Sequence, residues 1–274
     1  MQGQYRIKPS KETPVTYETL LCDVQGPIAT VTLNRPGVLN ALNARTFDEL
    51  ETVFIALSQD SGVRVILVTG AGEKAFAAGA DINELAATDA ASGNAKARRG
   101  QSVFRLIETC GKPVIGCING FALGGGCELA MACTLRLAAE TARLGQPEVK
   151  LGLIAGYGGT QRMPRLIGRS TALRLLLTGE MIPAAEALRI GLVDEVVPAG
   201  QLMARAAELA ASIVAMAPLA VAGTIESVER GSDLRIEDAM KVEAEIFGRL
   251  AGTADKVEGT TAFLEKRPPR WTGR

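Results

Sequence analysis

The sequence of 274 residues contains no histidine. This absence excludes Ser-His-Asp and Cys-His catalytic groups, HExxH zinc sites and an imidazole that acts as a general base. Any acid–base chemistry must therefore use carboxyl groups, lysine, tyrosine or cysteine. Cys127 has no neighbour in the sequence that would favour its thiolate, so we expect it to be a core residue rather than a nucleophile.

The chain also has no excess of charge, since 30 Lys and Arg residues balance 30 Asp and Glu residues. Such a balance gives no overall field that would attract nucleic acid or an anionic membrane, and we expect neither as a partner. The five cysteines form no C-x-x-C pair, and three of them lie in one apolar segment. This pattern indicates reduced, buried thiols, so the expected location is the cytoplasm.

That apolar segment, residues 113–135, is as long as a membrane span. Three consecutive glycines, Asn119 and Glu128 lie within it, and they argue against a transmembrane helix. Residues 1–14 are polar and contain two prolines, which favours a flexible N-terminal tail over a signal peptide. We therefore expect a globular protein with a large core.

Patterns typical of strands and helices alternate along the first 200 residues. Asn43 is placed to cap the first helix, and the apolar run 65–68 is typical of a parallel strand buried on both faces. The alternation predicts an α/β domain. Predicted strands cover 17–24, 28–33, 63–69, 113–118, 135–138 and 193–197, and predicted helices cover 43–58, 81–85, 95–110 and 128–132.

Four further helices follow without any strand between them. They are predicted over 201–215, 218–230, 234–250 and 254–266. A helical region without strands of its own has a poor core, so we expect it to pack on the preceding domain or on another subunit. The predicted division is a flexible tail (1–14), an α/β core (15–200) and a C-terminal helical region (201–274).

Glu128 is the only charged residue between Pro113 and Leu135, and it follows Gly124-Gly125-Gly126-Cys127 directly. A buried carboxylate without a partner is costly, and such a group usually has a raised pKa. A carboxyl group with a raised pKa suits proton transfer near neutral pH. The alternative is a carboxylate that only caps the N-terminus of the helix over 128–132.

A short internal repeat points to a second feature. Phe76–Ala80 and Phe121–Gly125 each follow a predicted strand, share the pattern F-A-x-G and lead into a helix. Each unit would present a backbone N–H group at a helix N-terminus, from Ala80 and Gly125. If the units lie side by side, the two donors form an oxyanion hole. The alternative is a packing motif in a chain rich in alanine and glycine.

Three longer motifs carry a family resemblance: Lys74–Ile82, Asn119–Met131 and Gly145–Val149. With them, the sequence resembles the crotonase superfamily, and in particular its enoyl-CoA hydratase branch. The resemblance extends from about residue 17 to residue 267. Further matching segments are Leu33–Pro36, Gly158–Arg162, Leu177–Gly179, Gly191–Asp194 and Ala262–Arg267.

The resemblance implies an α/β fold built as a spiral of ββα repeats, followed by a C-terminal α-helical trimerisation region. In this reading residues 15–200 are the catalytic core and residues 201–274 serve oligomerisation, usually as a homotrimer or a dimer of trimers. The implied substrate is an acyl-CoA thioester. No separate cofactor and no metal are implied, because coenzyme A is part of the substrate.

The resemblance also assigns roles to residues. Ala80 and Gly125 match the oxyanion donors, and Glu128 and Glu148 match the two catalytic carboxyl groups. Phe263 and Lys266 match positions that close over the adenine end of a CoA bound to a neighbouring subunit, or else belong to an ordinary amphipathic helix. The implied substrate or CoA contacts are Val38, Ala78, Ala80, Asp81, Ile82, Asn83, Gly125, Phe263 and Lys266.

The implied reaction is the reversible syn addition of water to a trans-2-enoyl-CoA, which gives a 3-hydroxyacyl-CoA. An enoyl-CoA isomerase, or another lyase acting on CoA thioesters, is the alternative within the family. A non-enzymatic scaffold that binds CoA or RNA fits poorly, since the chain lacks a basic–aromatic stripe. A Rossmann site fails because the glycines lack G-x-G-x-x-G spacing. Asp81 is either catalytic or, more simply, a helix N-cap, and the acyl chain length is not predicted.

Overall fold

The computed structural model describes residues 16–274, so the predicted tail over 1–14 lies outside the described residues. Strands and helices alternate as the sequence predicts. The ten strands of this part of the chain are β1 (Leu20–Gln25), β2 (Ile28–Leu33), β3 (Val65–Gly70), β4 (Ala75–Ala77), β5 (Val114–Ile118), β6 (Phe121–Leu123), β7 (Leu135–Ala139), β8 (Arg143–Gly145), β9 (Met181–Pro183) and β10 (Glu195–Val197).

Eleven α-helices lie between and after these strands within residues 16–274. They are α1 (Ala44–Gln59), α2 (Ile82–Ala86), α3 (Ala90–Glu108), α4 (Gly125–Ala132), α5 (Gly159–Ile167), α6 (Arg169–Thr178), α7 (Ala184–Arg189), α8 (Leu202–Val214), α9 (Pro218–Gly231), α10 (Ile236–Ala251) and α11 (Ala254–Leu264). Short 3-10 helices cover Pro36–Val38, Pro147–Leu151 and Ala199–Gln201. The predicted cap of α1 is confirmed, because the Asn43 side chain accepts a hydrogen bond from the Thr46 amide.

The strands form two sheets. One has six strands in the order β1-β2-β3-β5-β7-β10, and the other has four in the order β4-β6-β8-β9. In the six-stranded sheet only the β1–β2 pair is antiparallel. In the four-stranded sheet β4, β6 and β8 are parallel, and β9 pairs antiparallel with β8.

From β3 to β8, successive strands alternate between the two sheets. The chain passes from β3 to β4, from β5 to β6 and from β7 to β8, and each time it then continues toward helices. Each ββα repeat therefore adds one strand to both sheets beside the previous repeat. This is the predicted fold class, a spiral of ββα repeats followed by C-terminal helices, and it is confirmed.

Both faces of the six-stranded sheet are buried. Ile66 and Val68 belong to the larger core, together with α1, α3 and α4, whereas Val65 and Leu67 face a smaller core closed by α8. All six residues of β3 are buried, which confirms the expectation of a strand covered on both sides. Because α8 shares this core, at least one helix after residue 200 packs directly on the sheet.

The last residues of the chain fold back onto the C-terminal helices. The buried Asp255 carboxylate accepts hydrogen bonds from the Thr272 and Gly273 amides, and the Trp271 indole donates to the Ala215 carbonyl at 2.7 Å. Within residues 16–274, no single helix has the length and apolarity to cross a membrane. The pair Ala199–Val214 and Pro218–Gly231 meets those two criteria jointly, but with a bend of 104° between its halves.

Candidate active site

The two F-A-x-G segments lie next to each other. Their Phe-Ala pairs form β4 and β6, which are adjacent parallel strands, whereas the sequence placed them in loops. The turns that follow are in close contact: a Cβ on Gly126 would lie 1.9 Å from the Ala77 carbonyl oxygen, and one on Gly124 would lie 3.6 Å from the Gly79 Cα. Only glycine permits this approach of backbone to backbone.

Within residues 16–274 the amides of Ala80 and Gly125 donate no hydrogen bond at this junction. Leu42 donates to the Gly79 carbonyl at 2.8 Å and accepts from the Asp81 amide at 2.8 Å, so the intervening Ala80 amide takes no part in that bridge. Gly125 is the first residue of α4, whose leading amides have no intrahelical acceptor. Two free N–H groups therefore occur on adjacent turns, as an oxyanion hole requires.

Glu128 lies in the first turn of α4 and is almost fully buried, with 1% of its surface exposed. Its Oε1 accepts hydrogen bonds from the Tyr157 amide at 2.8 Å and the Gly159 amide at 2.6 Å. The carboxylate thus binds a distant loop rather than capping its own helix. The alternative interpretation of Glu128 as a simple helix cap is wrong.

Burial raises the pKa of Glu128 to about 7. The nearby charge of Glu148 adds to this increase, while the hydrogen bonds from Gly159 and Tyr157 and the charge of Arg162 oppose it. A carboxyl group with this pKa exchanges protons readily near neutral pH.

Glu148 lies in the 3-10 helix Pro147–Leu151 and is half-buried. Its Oε1 would lie 2.8 Å from a Cβ on Gly124, so this carboxyl group stands against the turn that carries the Gly125 amide. Burial raises its pKa as well. This contact brings Glu148 to the turn that begins α4, the helix that contains Glu128.

Gln146 links the surroundings of the two carboxyl groups, a role not predicted from the sequence. The Gln146 side chain is buried, and its amide is oriented with the nitrogen toward Glu148. This nitrogen donates hydrogen bonds to the two Glu148 carboxylate oxygens at 3.0 and 3.1 Å. A Cβ on Gly159 would lie 2.7 Å from the Gln146 amide group and 3.0 Å from the Glu128 Cγ, so both side chains lie close to Gly159. Its position inside the Gly145–Val149 motif was the available signal.

Arg162 fixes the loop that binds Glu128, a role that its place in the Gly158–Arg162 segment did not predict. Its guanidinium donates to the Tyr157 carbonyl at 2.8 Å and pairs with both carboxylate oxygens of Glu108 on α3. Gly158 has a φ of +112°, and a Cβ there would lie 2.2 Å from the Arg162 Nη1. The loop is therefore held from α3 through Arg162.

Asp81 has a structural role in this arrangement. Its Oδ1 caps α2 by accepting from the Asn83 amide at 3.1 Å, and its Oδ2 pairs with the Arg35 guanidinium at 2.9 Å. The Arg35 hydrogen bond is the main cause of its lowered pKa. The N-cap interpretation is confirmed, and a substrate contact from Asp81 stays a prediction.

The other predicted contacts lie around the same turns or on the C-terminal helix. Ile82 and Asn83 are exposed on α2, Val38 is exposed in the first 3-10 helix, and the Ala78 amide donates to the Leu39 carbonyl at 3.0 Å. Phe263 is 83% exposed near the end of α11, and Lys266 follows it in a left-handed conformation with a φ of +55°. Their predicted role requires a second subunit.

A cavity of about 440 Å³ opens beside Glu148. Its walls are mostly apolar, with Ile154, Leu173 and Leu177 among the lining residues. Within residues 16–274 no cluster of three or more Cys, Asp or Glu side chains is arranged to bind a metal ion. The candidate groups at this site are the Ala80 and Gly125 amides and the Glu128 and Glu148 carboxyl groups.

Comparisons with known proteins agree with this arrangement. The sequence profile of the enoyl-CoA hydratase/isomerase family matches residues 23–274. A short-chain-enoyl-CoA hydratase of Clostridium acetobutylicum is 47% identical over 248 residues, which are 90% of this chain and 95% of that protein. A crotonyl-CoA hydratase of Syntrophomonas wolfei is 45% identical over 253 residues, 92% of this chain and 97% of that protein.

Solved structures give the same result at the level of the fold. The crystal structure of an enoyl-CoA hydratase from Bacillus anthracis superposes with a TM-score of 0.91 at 38% identity. The superposition covers 94% of this chain and 100% of that one.

Proposed function

This chain belongs to the enoyl-CoA hydratase/isomerase family, and from that premise we propose that it is an enoyl-CoA hydratase. The reaction is the reversible syn addition of water to a trans-2-enoyl-CoA, with a 3-hydroxyacyl-CoA as the product. The relatives named above act on short-chain enoyl-CoA and on crotonyl-CoA. We therefore expect short 2-enoyl thioesters to be the preferred substrates.

The two free amides are the electrostatic part of the proposed mechanism. The thioester oxygen accepts hydrogen bonds from the Ala80 and Gly125 N–H groups. These bonds strengthen as negative charge moves onto that oxygen, so they stabilise the enolate more than the ground state. The polarised carbonyl makes C3 of the enoyl group electrophilic.

The two carboxyl groups move the protons. Glu128 takes a proton from water as the water oxygen bonds to C3, and the electron pair of the C2–C3 double bond moves toward the thioester oxygen. Glu148 then donates a proton to C2, which restores the thioester. One group must begin ionised and the other protonated, and the raised pKa of both side chains allows such a pair to share one proton near neutral pH.

The observation that carries the proposal is the position of Glu148 against the Gly124 turn. It brings a second carboxyl group to the start of the helix that carries Glu128 and the Gly125 amide. A single carboxyl group can shift a double bond, but the addition of water uses a base for the water and an acid for carbon. Both are available here.

The test is an assay with crotonyl-CoA, in which hydration removes the absorbance of the conjugated thioester. The parent protein should hydrate crotonyl-CoA, and Glu128→Gln and Glu148→Gln should each lower kcat by about 10²–10⁴. The double variant should lose much less than the product of the two single losses. A parent that converts 3-enoyl-CoA but leaves crotonyl-CoA unchanged would instead be an isomerase.

The assembly and the location belong to the same proposal. The helices α9–α11 carry large exposed apolar side chains, including Phe247 and Phe263, which supports a homotrimer or a dimer of trimers. The cytoplasm remains the expected location of the enzyme.

A further inference from the structure

We propose that the Tyr157 ring closes the acyl end of the active site and limits the enzyme to short 2-enoyl groups. The inference rests on the proposed function and identifies the residue that sets its substrate range. Tyr157 lies in the Gly156–Gly159 loop, and its backbone amide holds Glu128. Its side chain has no part in that bond and is available for another role.

The ring is clamped between two glycines on different helices. On one edge, its Cδ1 lies 2.2 Å from the place of a Cβ on Gly100. On the other edge, its Cδ2 and Cε2 each lie 3.1 Å from the place of a Cβ on Gly125. Gly100 is buried within α3, where glycine disfavours helix formation. The space that it leaves is filled by the Tyr157 ring.

Two aromatic side chains pack against the Tyr157 ring. Its centroid lies 5.0 Å from that of Phe47 and 5.9 Å from that of Phe104, and both contacts are edge-on. Such contacts are favourable beyond simple burial, and the packed surroundings leave little room for another rotamer. The ring is therefore a fixed wall rather than a movable lid.

This wall stands beside the atoms that react. In the proposed mechanism the thioester oxygen is bound at the Gly125 amide, and the ring edge fills the place that a Cβ on the same residue would need. Burial, with smaller contributions from the charges of Glu128, Glu84 and Glu148, raises the pKa of Tyr157 to about 12, so its hydroxyl group stays neutral. An acyl chain that extends from C3 on this side meets the ring.

The consequence is a limit on chain length. A crotonyl group has one carbon beyond C3 and ends before the ring, whereas an octenoyl group has five and must displace it. Replacing Tyr157 with alanine opens space as far as Gly100 and leaves the backbone amide that holds Glu128. A pocket gains about tenfold or more in discrimination for each methylene that it accommodates well.

The experiment measures kcat/KM for crotonyl-CoA, 2-hexenoyl-CoA and 2-octenoyl-CoA. In Tyr157→Ala the ratio of octenoyl to crotonyl activity should rise at least about tenfold over the parent. In Tyr157→Phe, which keeps the ring, the ratio should stay within about twofold of the parent. Tyr157→Leu provides an intermediate size and serves the same comparison if the alanine variant does not fold.

Two further variants locate the effect. Gly100→Ala pushes the ring toward the site, so it should lower activity on crotonyl-CoA, and adding Tyr157→Ala should remove that defect. Leu173→Ala enlarges the cavity on the Glu148 side and should keep the parental ratio. An unchanged ratio in Tyr157→Ala, or a rise in Leu173→Ala alone, overturns the inference. A parent inactive on every 2-enoyl-CoA would instead refute the proposed function.

Discussion

At the scale of single residues, the Glu128 carboxyl group combines deep burial with donors that come only from the backbone. Two amides bind one of its oxygens, and no Lys or Arg side chain within residues 16–274 forms an ion pair with it. Burial is therefore the largest influence on its pKa and favours the protonated form. Ionising this group costs free energy that the rest of the fold must supply.

The first prediction concerns the pH dependence of stability. The pKa of Glu128 is about 7 in the folded protein and about 4.3 in the unfolded chain, so the folded state binds more protons between these values. Its contribution to stability therefore falls as pH rises through this range. Glu128→Gln has nothing to ionise, and its free energy of unfolding relative to the parent should rise from pH 5 to pH 8.

Urea unfolding at both pH values measures this difference. Glu243→Gln, which changes an exposed position on α10, is the matched control and should follow the parent at both. If the Glu128→Gln difference is the same at pH 5 and pH 8, the carboxyl group is not protonated in the folded protein as described.

The sequence identified Glu128 from its isolation in an apolar segment, but it did not identify what binds the carboxylate. The two donors lie 29 and 31 residues further along the chain. Both donors are backbone amides, and because nearly every residue has one, no residue type in the sequence indicates them. Gln146 and Arg162 were missed for a similar reason, because their partners are set by the tertiary fold. The adjacency of the turns that carry Ala80 and Gly125 could be predicted, because a repeated local pattern places both turns.

At the scale of elements, the loop before α5 owes its position to an ion pair with α3. Arg162 holds the Tyr157 carbonyl and Glu108 together, and the amides of that loop hold Glu128. A lysine at this position cannot form the same two-pronged contact. The helix α3 and the loop that binds Glu128 are thus coupled through one guanidinium group.

The second prediction is that Arg162→Lys lowers kcat by up to about 10², because small displacements of a catalytic group have effects of this size. KM for crotonyl-CoA should change much less. Arg165→Lys is the matched control on the same helix, since Arg165 makes an exposed pair with Asp233 and such pairs contribute little. Equal effects of the two substitutions on kcat would show that Arg162 does not position the loop.

The third prediction concerns the contact between the turns after β4 and β6. In Gly126→Ala the new Cβ would meet the Ala77 carbonyl oxygen at 1.9 Å. Backbone cannot move aside cheaply, so the variant should lose about 1–3 kcal/mol of stability together with most of its activity. Gly248→Ala in α10, where a Cβ meets nothing within 4 Å, should be neutral or slightly stabilising. Thermal unfolding of both variants gives the comparison.

The sequence predicted the long elements better than the short ones. The five residues of β5 are all buried, and their apolar run identified the strand. The strands β4, β6 and β8 have three residues each, which is too short for a period-two pattern to be recognised. The second sheet was therefore expected only through the family resemblance.

At the scale of the whole molecule, the C-terminal helices carry several large apolar side chains that are exposed in the single chain. Ile236, Phe247 and Phe263 are all largely exposed, whereas single soluble chains seldom expose a large continuous apolar patch. The trimeric assembly and the division at residue 200 remain predictions. Mass measurement in solution should give three or six times 28.7 kDa.

The fourth prediction separates the two ends of the substrate. If Phe263 contacts the adenine end of CoA bound to a neighbouring subunit, Phe263→Ala should raise KM for crotonyl-CoA about tenfold, since one buried aromatic contact has about this effect. It should leave KM for crotonyl-pantetheine, which lacks adenine, unchanged. An equal rise for both thioesters would place Phe263 elsewhere. Leu264→Ala, an exposed neighbour on the same helix, is the control.

Because backbone amides bind the Glu128 carboxylate, the substrate range of this enzyme could change during evolution without loss of that contact. At position 157 almost any amino acid supplies a main-chain amide, so the side chain there can change while the hydrogen bond to Glu128 is kept. Drift at position 157 would then retune which thioesters are accepted without dismantling the chemistry. Related enzymes that accept other acyl groups could therefore arise by single substitutions in the loop that also binds Glu128.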